Sequence, residues 1–259
     1  MKVTIIGTGN VATVLGKTIL KAGHAIHQVF GRNAAAVKEL ASALRATPIT
    51  ETKKLDSNTD IFFVAVSDKA IAEVCQSLPN NILTVHTSGA VSKDILKNVS
   101  KNYGVLYPLQ SLRKEMTELP IIPLFVDGSS AEVIELLTIF ARSLSSIVQF
   151  ANDAQRLKLH LAAVLCSNFP NHLYALTEIF CRREAVNFSA LQPLVEETAL
   201  RLRNFSALQM QTGPAVRGDE ETMKKHLDLL QSYPVIQNIY TILSESIMQL
   251  NDEEKDEAI

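Results

Sequence analysis

Two hydrophobic rhythms divide the chain. Over the first 150 residues, short apolar runs alternate with segments whose apolar positions recur every three to four residues. Lys2–Ile6, Ala25–Phe30, Pro48–Ile49, Ile61–Val66, Ile82–His86, Val105–Tyr107, Leu124–Val126 and Ile147–Phe150 read as strands. Ile61–Val66 is apolar without a break, as a central parallel strand covered on both faces requires. Helices are predicted over Val11–Leu20, stopping at Gly23, over Ala34–Leu44 behind an Asn33 cap, over Lys69–Ser77 behind Ser67-Asp68, and from Ser129 to Leu144. From Asp153 onward only the helical period persists. Ala154–Arg183 reads as one long helix with a soft spot at Asn168–Pro170, followed by helices at Ser189–Gln211, Asp219–Ser232 and Val235–Leu250, with a break at Gly213-Pro214. The charged residues Asn251–Ile259 are expected to fray. The expected fold is α/β: a Rossmann-type doubly wound parallel sheet in a domain of residues 1–152, then an all-helical domain of residues 153–259.

Composition narrows the partners. The chain has 259 residues, 47% of them hydrophobic and 20% charged, with a formal charge of −2. Such a chain has no overall attraction to nucleic acid or to an anionic membrane. Three widely spaced cysteines, Cys75, Cys166 and Cys181, lie among apolar residues, so buried thiols are expected, with no disulfide scaffold and no metal site. Residues 1–6 already read as a strand and the longest apolar run is far too short to span a bilayer, so a cytoplasmic protein without a leader is expected. The strand-free second half is rich in apolar residues, which predicts a homodimer built through it.

The first strand runs into Gly7-Thr8-Gly9-Asn10-Val11-Ala12, a G-x-G-x-x-A sequence that opens a helix. This is the context of a dinucleotide fingerprint. Gly7 permits the turn, Gly9 leaves room for a pyrophosphate, and Ala12 brings the helix close to the sheet. The free N–H groups of the helix start then face the phosphates. After the second strand, NAD-binding domains place an acidic residue for the ribose 2′-OH. Here Gly31-Arg32-Asn33 stands in that place, and Glu39, the first acid, sits too deep in the helix. A guanidinium suits a 2′-phosphate, so Arg32 with Asn33 favours NADP over NAD. Val66-Ser67-Asp68 should pass the nicotinamide-side ribose, although Asp68 also fits a helix cap. Thr87, Ser88 and Gly89 should edge the nicotinamide pocket, with His86 on the strand as either a site or a structural residue. Tyr107-Pro108-Leu109-Gln110 should approach the same cleft.

On the long helix, His160, Val164, Asn168 and Asn171 share one face at about 100° per residue, with His172 at its edge and Lys158 well off it. Polar residues among leucine, alanine and valine imply an internal hydrogen-bonded network or the wall of a cleft. Arg217, in Thr212–Asp219, could hold a substrate carboxylate or the cofactor, or could pin Asp219, itself a candidate cap.

These residues carry a resemblance. The N-terminal half resembles the Rossmann domain shared by pyrroline-5-carboxylate reductases and coenzyme-F420-dependent NADP oxidoreductases. The whole chain resembles a bacterial family of NADP oxidoreductases with a Rossmann-like domain and a helical C-terminal domain of unknown function. The matching segments are Gly7–Ala12, Val64–Asp68, His86–Ala90, Gly104–Ser111, His160–His172 and Thr212–Asp219. The resemblance implies a helical domain packed across the cofactor cleft and supporting dimers. It supplies no substrate. The glycine- and threonine-rich turn by which pyrroline-5-carboxylate reductases hold their substrate is missing, and Lys158 and Asn168 lack the spacing of the lysine and asparagine used by hydroxyacid dehydrogenases.

The expected function is that of an NADP(H)-dependent reductase acting on a small carbonyl or imine compound. His160 would donate the proton and Asn168 would orient the substrate, with Ser88, His86 and Arg217 as other candidates. The alternative is a non-catalytic NADP-binding sensor. A narrower variant uses a deazaflavin as second substrate.

Overall fold

The computed structural model describes the backbone of residues 1–257 and the side chains of residues 1–253. Two compact units make up the chain: Met1–Pro170, and a second that begins at Asn171.

The first unit is built on β1 (Lys2–Ile6), α1 (Asn10–Lys21), β2 (Ala25–Phe30), α2 (Ala34–Leu44), β3 (Thr47–Ile49), β4 (Ile61–Val64), α3 (Ile71–Cys75), β5 (Leu83–His86), β6 (Tyr103–Pro108), β7 (Leu124–Gly128), α4 (Ala131–Leu144), β8 (Val148–Phe150) and α5 (Asp153–Ala163). The eight strands form one sheet in the order β3-β2-β1-β4-β5-β6-β7-β8. Strands β1 to β6 pair in parallel, as the unbroken apolar runs require. The expected all-parallel pairing fails at one place. β7 runs antiparallel to β6, and β8 is again parallel to β7. The return from β6 to β7 contains no helix longer than a turn, so it cannot make the crossover that a parallel pair needs. Strand order reverses between β1 and β4, and the ends of these two strands flank a cleft at the switch point.

Local sequence sets the ends of the elements. The Asn33 side chain accepts from the Ala36 N–H at 3.1 Å and starts α2, as predicted. At α4 the cap is Ser130, not Ser129. The Ser129 hydroxyl is engaged instead by the Tyr103 N–H and the Lys101 carbonyl. β4 stops at Val64, two residues short of the apolar run. Neither Ser67 nor Asp68 caps the next helix through its side chain: a single 3₁₀ turn, Asp68–Ala70, leads into α3.

The long helix divides. A π-helical segment, Val164–Asn168, separates α5 from α6 (Phe169–Arg183). Pro170 has no N–H to give the carbonyl four residues back, and the wider turn absorbs that loss at the expected soft spot. The remaining helices are α7 (Gln192–Arg201), α8 (Pro214–Arg217), α9 (Glu220–Leu229) and α10 (Pro234–Glu257). α7 ends ten residues earlier than Ser189–Gln211 predicts, because i→i+3 turns take over at Arg203 and Asn204 and the Ser206 hydroxyl accepts from the Gln209 N–H. Asp219 caps α9 by accepting from the Thr222 N–H at 3.0 Å. The charged tail continues α10 to Glu257 rather than fraying at Asn251; residues 258–259 lie outside the described residues. Cys75 and Cys181 are buried as expected, but Cys166, on the π segment, is exposed. Among the described residues, no helix is long and apolar enough to cross a membrane.

Candidate functional site

The glycine turn forms one wall of the switch-point cleft. Gly7 has φ +120°, and a Cβ there would lie 2.2 Å from the Ala65 carbonyl oxygen. Its N–H is held by the Phe30 carbonyl at 2.8 Å. Only glycine satisfies both the conformation and the space. Gly9 differs. Its φ is −82°, and a Cβ built on it would meet no protein atom within 4 Å. Neither conformation nor packing demands a glycine at that position, so what it keeps free is room outside the protein. The first turn of α1 holds no acidic residue and has no side-chain cap, leaving its N–H groups available to an anion. Ala12 is fully buried and serves the packing of α1 on the sheet.

A cavity of about 440 Å³ lies over this turn, lined by Gly7 to Val11, by Gly31, Arg32 and Asn33, and by Val66 and Ser67 among others. The Asn33 carboxamide oxygen is committed to capping α2, whereas Arg32 is exposed at the cavity edge. A second cavity of about 560 Å³ shares Val11 and Val66 with the first. Its lining includes Asp68, Thr87, Ser88, Gly89, Tyr107, His160 and Asn168. Two shared residues make the cavities neighbours along the carboxyl ends of β1, β4, β5 and β6. The residues present fit an extended dinucleotide, with the uncapped N–H groups at the start of α1 suited to its phosphates.

His160 and Asn168 both reach this second cavity, one from α5 and one from the π segment. The expectation that they interrupt a packed surface needs correction. Both are exposed, and the leucines around them, Leu157, Leu161 and Leu165, are each more than half exposed. The His160 Nδ1 lies 3.3 Å from the Tyr107 hydroxyl. Asn171 and His172 fall on α6 within the second unit. Arg217 ends α8 in that unit with its side chain exposed, and its charge helps hold the Asp219 carboxyl below the usual range, after the stronger effect of hydrogen bonds from Thr222.

His86 is fully buried at the end of β5. Its Nδ1 accepts from the Ser88 N–H at 3.2 Å, so Nε2 carries the hydrogen and donates to the Ser92 carbonyl at 3.3 Å. Burial, reinforced by the Arg156 guanidinium, pushes the imidazole down to about 4. The ring is a structural residue in its neutral form. The Ser88 Oγ accepts from the N–H groups of Ala90 and Val91, both at 3.1 Å, which shapes the loop; among the described residues its own hydrogen has no acceptor. Thr87 donates weakly to the Val64 carbonyl at 3.4 Å.

Arg156 carries no mark of its role in the sequence. It is 1% exposed and binds the carbonyls of Ser88 at 3.2 Å and Val91 at 2.6 Å. Its guanidinium also pairs with Asp153 at 2.8 Å and stands 3.7 Å from buried Asp127, which Lys93 meets at 3.2 Å. These ties pin the first turn of α5 to the loop that carries Ser88 and Gly89. A lone arginine in a polar helix start gives no sequence signal of burial; only the sheet brings Asp127 beneath it.

Both halves of the chain match family models. Residues 2–87 match the model described as NADP oxidoreductase coenzyme F420-dependent, and residues 122–247 match a domain of unknown function, DUF2520. A candidate NADP oxidoreductase from Bacteroides fragilis is 34% identical, with 96% of this chain and 98% of that chain covered at a TM-score of 0.90. The chain belongs to this NADP oxidoreductase family. More distant members of the fold include a reductive aminase from Aspergillus terreus solved with NADPH and ethyl levulinate (16% identity, 97% and 94% covered, TM-score 0.72). A pyrroline-5-carboxylate reductase from Coxiella burnetii is 15% identical, with 97% of each chain covered and a TM-score of 0.55. Among curated protein sequences, none matches. The Rossmann-type architecture and NADP as the family's cofactor agree with the glycine turn and with Arg32 at the cavity edge.

Proposed function

We propose that the protein is an NADPH-dependent reductase of a small carbonyl or imine compound. The observation that supports this reading is that the cavity lined by His160 and Asn168 shares Val11 and Val66 with the cavity over the glycine turn. In this reading residues 1–152 bind the cofactor. Residues 153–259 form the helical domain, whose first helix lines the substrate site and which joins two copies in a cytoplasmic homodimer that engages neither nucleic acid nor membrane.

Gly7, Thr8, Gly9, Asn10 and Val11 cradle the pyrophosphate, with Ala12 behind them. Arg32 and Asn33 meet the 2′-phosphate. Val66, Ser67, Asp68, Thr87 and Ser88 line the way to the nicotinamide. When bound, NADPH supplies the hydride. His160, as the imidazolium, delivers its Nε2 proton to the carbonyl oxygen or imine nitrogen and is left as the neutral ring. The Asn168 carboxamide orients that same atom, and the Ser88 O–H offers a further donor. Arg217, exposed at the end of α8, is the candidate fork for a carboxylate within the second unit.

A screen of small carbonyl and imine compounds by NADPH oxidation, with a deazaflavin as a separate acceptor, tests the reading. On a substrate so found, His160→Ala should cut turnover by about 10²–10⁴-fold while NADPH affinity holds. Asn168→Ala should raise KM and lower kcat together. Full turnover by His160→Ala would overturn the proton-donor assignment.

A further inference from the structure

His160 is exposed on α5, and among the described residues no side chain of that helix hydrogen-bonds its imidazole. A free ring would sample both tautomers and both flips of χ2. Its neighbour is the opposite kind of group. Tyr107 stands on β6 and is only 7% exposed, with its ring 6.4 Å from Phe125. Burial pushes its phenol up, against the opposing Arg156 charge, so the group keeps its hydrogen. Among the described residues the hydroxyl has one hydrogen-bond partner, His160 Nδ1 at 3.3 Å, and the two rings meet edge to face at 6.3 Å.

We propose that Tyr107 is a positioning residue: its hydroxyl bonds Nδ1 of His160, donating to the neutral ring and accepting from the charged ring that delivers a proton, and so keeps Nε2 turned to the cleft. This rests on the reading of His160 as donor for its functional meaning, but not for its geometry. The Tyr107 side chain is largely buried and its hydroxyl gains from an acceptor, which among the described residues is Nδ1. His160 Nε2 has no protein partner among the described residues, which leaves it for a ligand.

Two further features show that this pair is built into the fold. A Cβ on Gly89 would stand 2.8 Å from Tyr107 Cζ and 3.1 Å from His160 Cβ, so a side chain there would drive the rings apart. One helical turn before His160, Arg156 ties α5 to the carbonyls of Ser88 and Val91. Strand, loop and helix are therefore fixed to one another where the two rings meet.

Nitrogen-15 NMR of the histidine-labelled full-length protein tests the proposal without any substrate, His160 being assigned by the signals lost in His160→Gln. At a pH where the ring is neutral, the wild type should show an unprotonated, hydrogen-bonded Nδ1 and a protonated Nε2. In Tyr107→Phe the Nδ1 signal should move to its unbonded position, and the second tautomer should gain population. Gly89→Ala keeps the hydroxyl but spreads the pair, and should produce the same change. His160 signals that are identical in all three proteins would overturn the proposal. With a substrate in hand, Tyr107→Phe should lower kcat about three- to tenfold at unchanged KM for NADPH. It should cost nothing more when added to His160→Gln, and an equal loss in that background would overturn the proposal too. If His160→Gln keeps full turnover while the NMR change persists, the donor reading fails and the positioning of His160 by Tyr107 stands.

Discussion

The Ser88 N–H donates to His86 Nδ1 across two residues, and this bond settles how a buried histidine lives beside the cleft. Nδ1 is an acceptor and Nε2 gives its hydrogen to Ser92, so both ring nitrogens are satisfied only in the neutral form. The group is pushed down to about 4 in the folded protein, against 6.5 when unfolded. Between these values the unfolded chain takes up a proton that the folded chain refuses. The stability that His86 contributes is therefore complete above about pH 6.5 and is lost as pH falls towards 4, by about 3 kcal/mol in all. Urea unfolding at pH 7 and pH 4.5 should show the loss, and His86→Gln should show a smaller difference between the two. A His86 ring titrating near 6.5 by NMR would refute the argument.

The two glycines of the turn should fail in different ways. Gly7→Ala sets a Cβ 2.2 Å from the Ala65 carbonyl at φ +120°, so the variant should lose stability by about 2 kcal/mol or more. Gly9→Ala meets no protein atom within 4 Å. It should melt like the wild type yet bind NADPH at least tenfold more weakly. Thermal unfolding and calorimetric titration of the two variants separate these outcomes. Equal NADPH affinity in Gly9→Ala would remove the phosphate from that turn.

Arg32 lines the first cavity at its exposed edge. NADPH should therefore bind more tightly than NADH. Arg32→Ala should lose the preference and leave NADH binding nearly unchanged, since a charge-assisted contact contributes about 1.5–3 kcal/mol. Fluorescence titration of both cofactors decides it; equal affinities in the wild type would count against the assignment.

Much of this architecture is legible in the residues alone, for physical reasons. Buried parallel strands such as Ile61–Val64 leave continuous apolar runs, and the turn at Gly7 requires glycine. The helix caps Asn33 and Asp219 declare themselves by type and place. Other features depend on partners distant in sequence. The antiparallel β6–β7 pairing results from how the chain returns, not from the composition of either strand. Arg156 looks like a surface residue until Asp127 arrives beneath it from 29 positions away. The strand alone puts Tyr107 near the cleft, yet its bond to His160 spans 53 residues and has no local signature. The exposed leucines around His160 show the converse: an apolar face in sequence states what could be covered, not what covers it within one copy.

That exposure supports the expected dimer. In the second half, Leu194, Leu202, Phe205, Val235 and Ile242 are all more than half exposed. Apolar surface of this kind is costly for an isolated copy in water. Light scattering over a range of dilutions should give twice the 28.5 kDa monomer mass. Charged substitutions at Leu202 and Ile242 should weaken association, and a mass that stays near 28.5 kDa at high concentration would sink the dimer.

Arg156 should be the most sensitive single position outside the glycine turn. Its guanidinium is 1% exposed and serves two carbonyls of the Ser88–Val91 segment, as well as Asp153 and Asp127. Removing it leaves Asp127, itself 2% exposed, with Lys93 as its remaining cation. Breaking a buried pair in this way costs about 3–5 kcal/mol. Arg156→Met should therefore unfold at much lower urea concentration. Arg156→Lys keeps the charge but cannot span two carbonyls and a carboxylate at once, so it should retain part of the stability while loosening the loop. Hydrogen exchange should then speed up at Ala90 and Val91, whose N–H groups are held by Ser88 Oγ. NADPH binding at the glycine turn should change little, because that cradle is built on β1 and α1. Wild-type exchange at Ala90 and Val91 in Arg156→Lys would show that the Ser88 turn stands without the arginine.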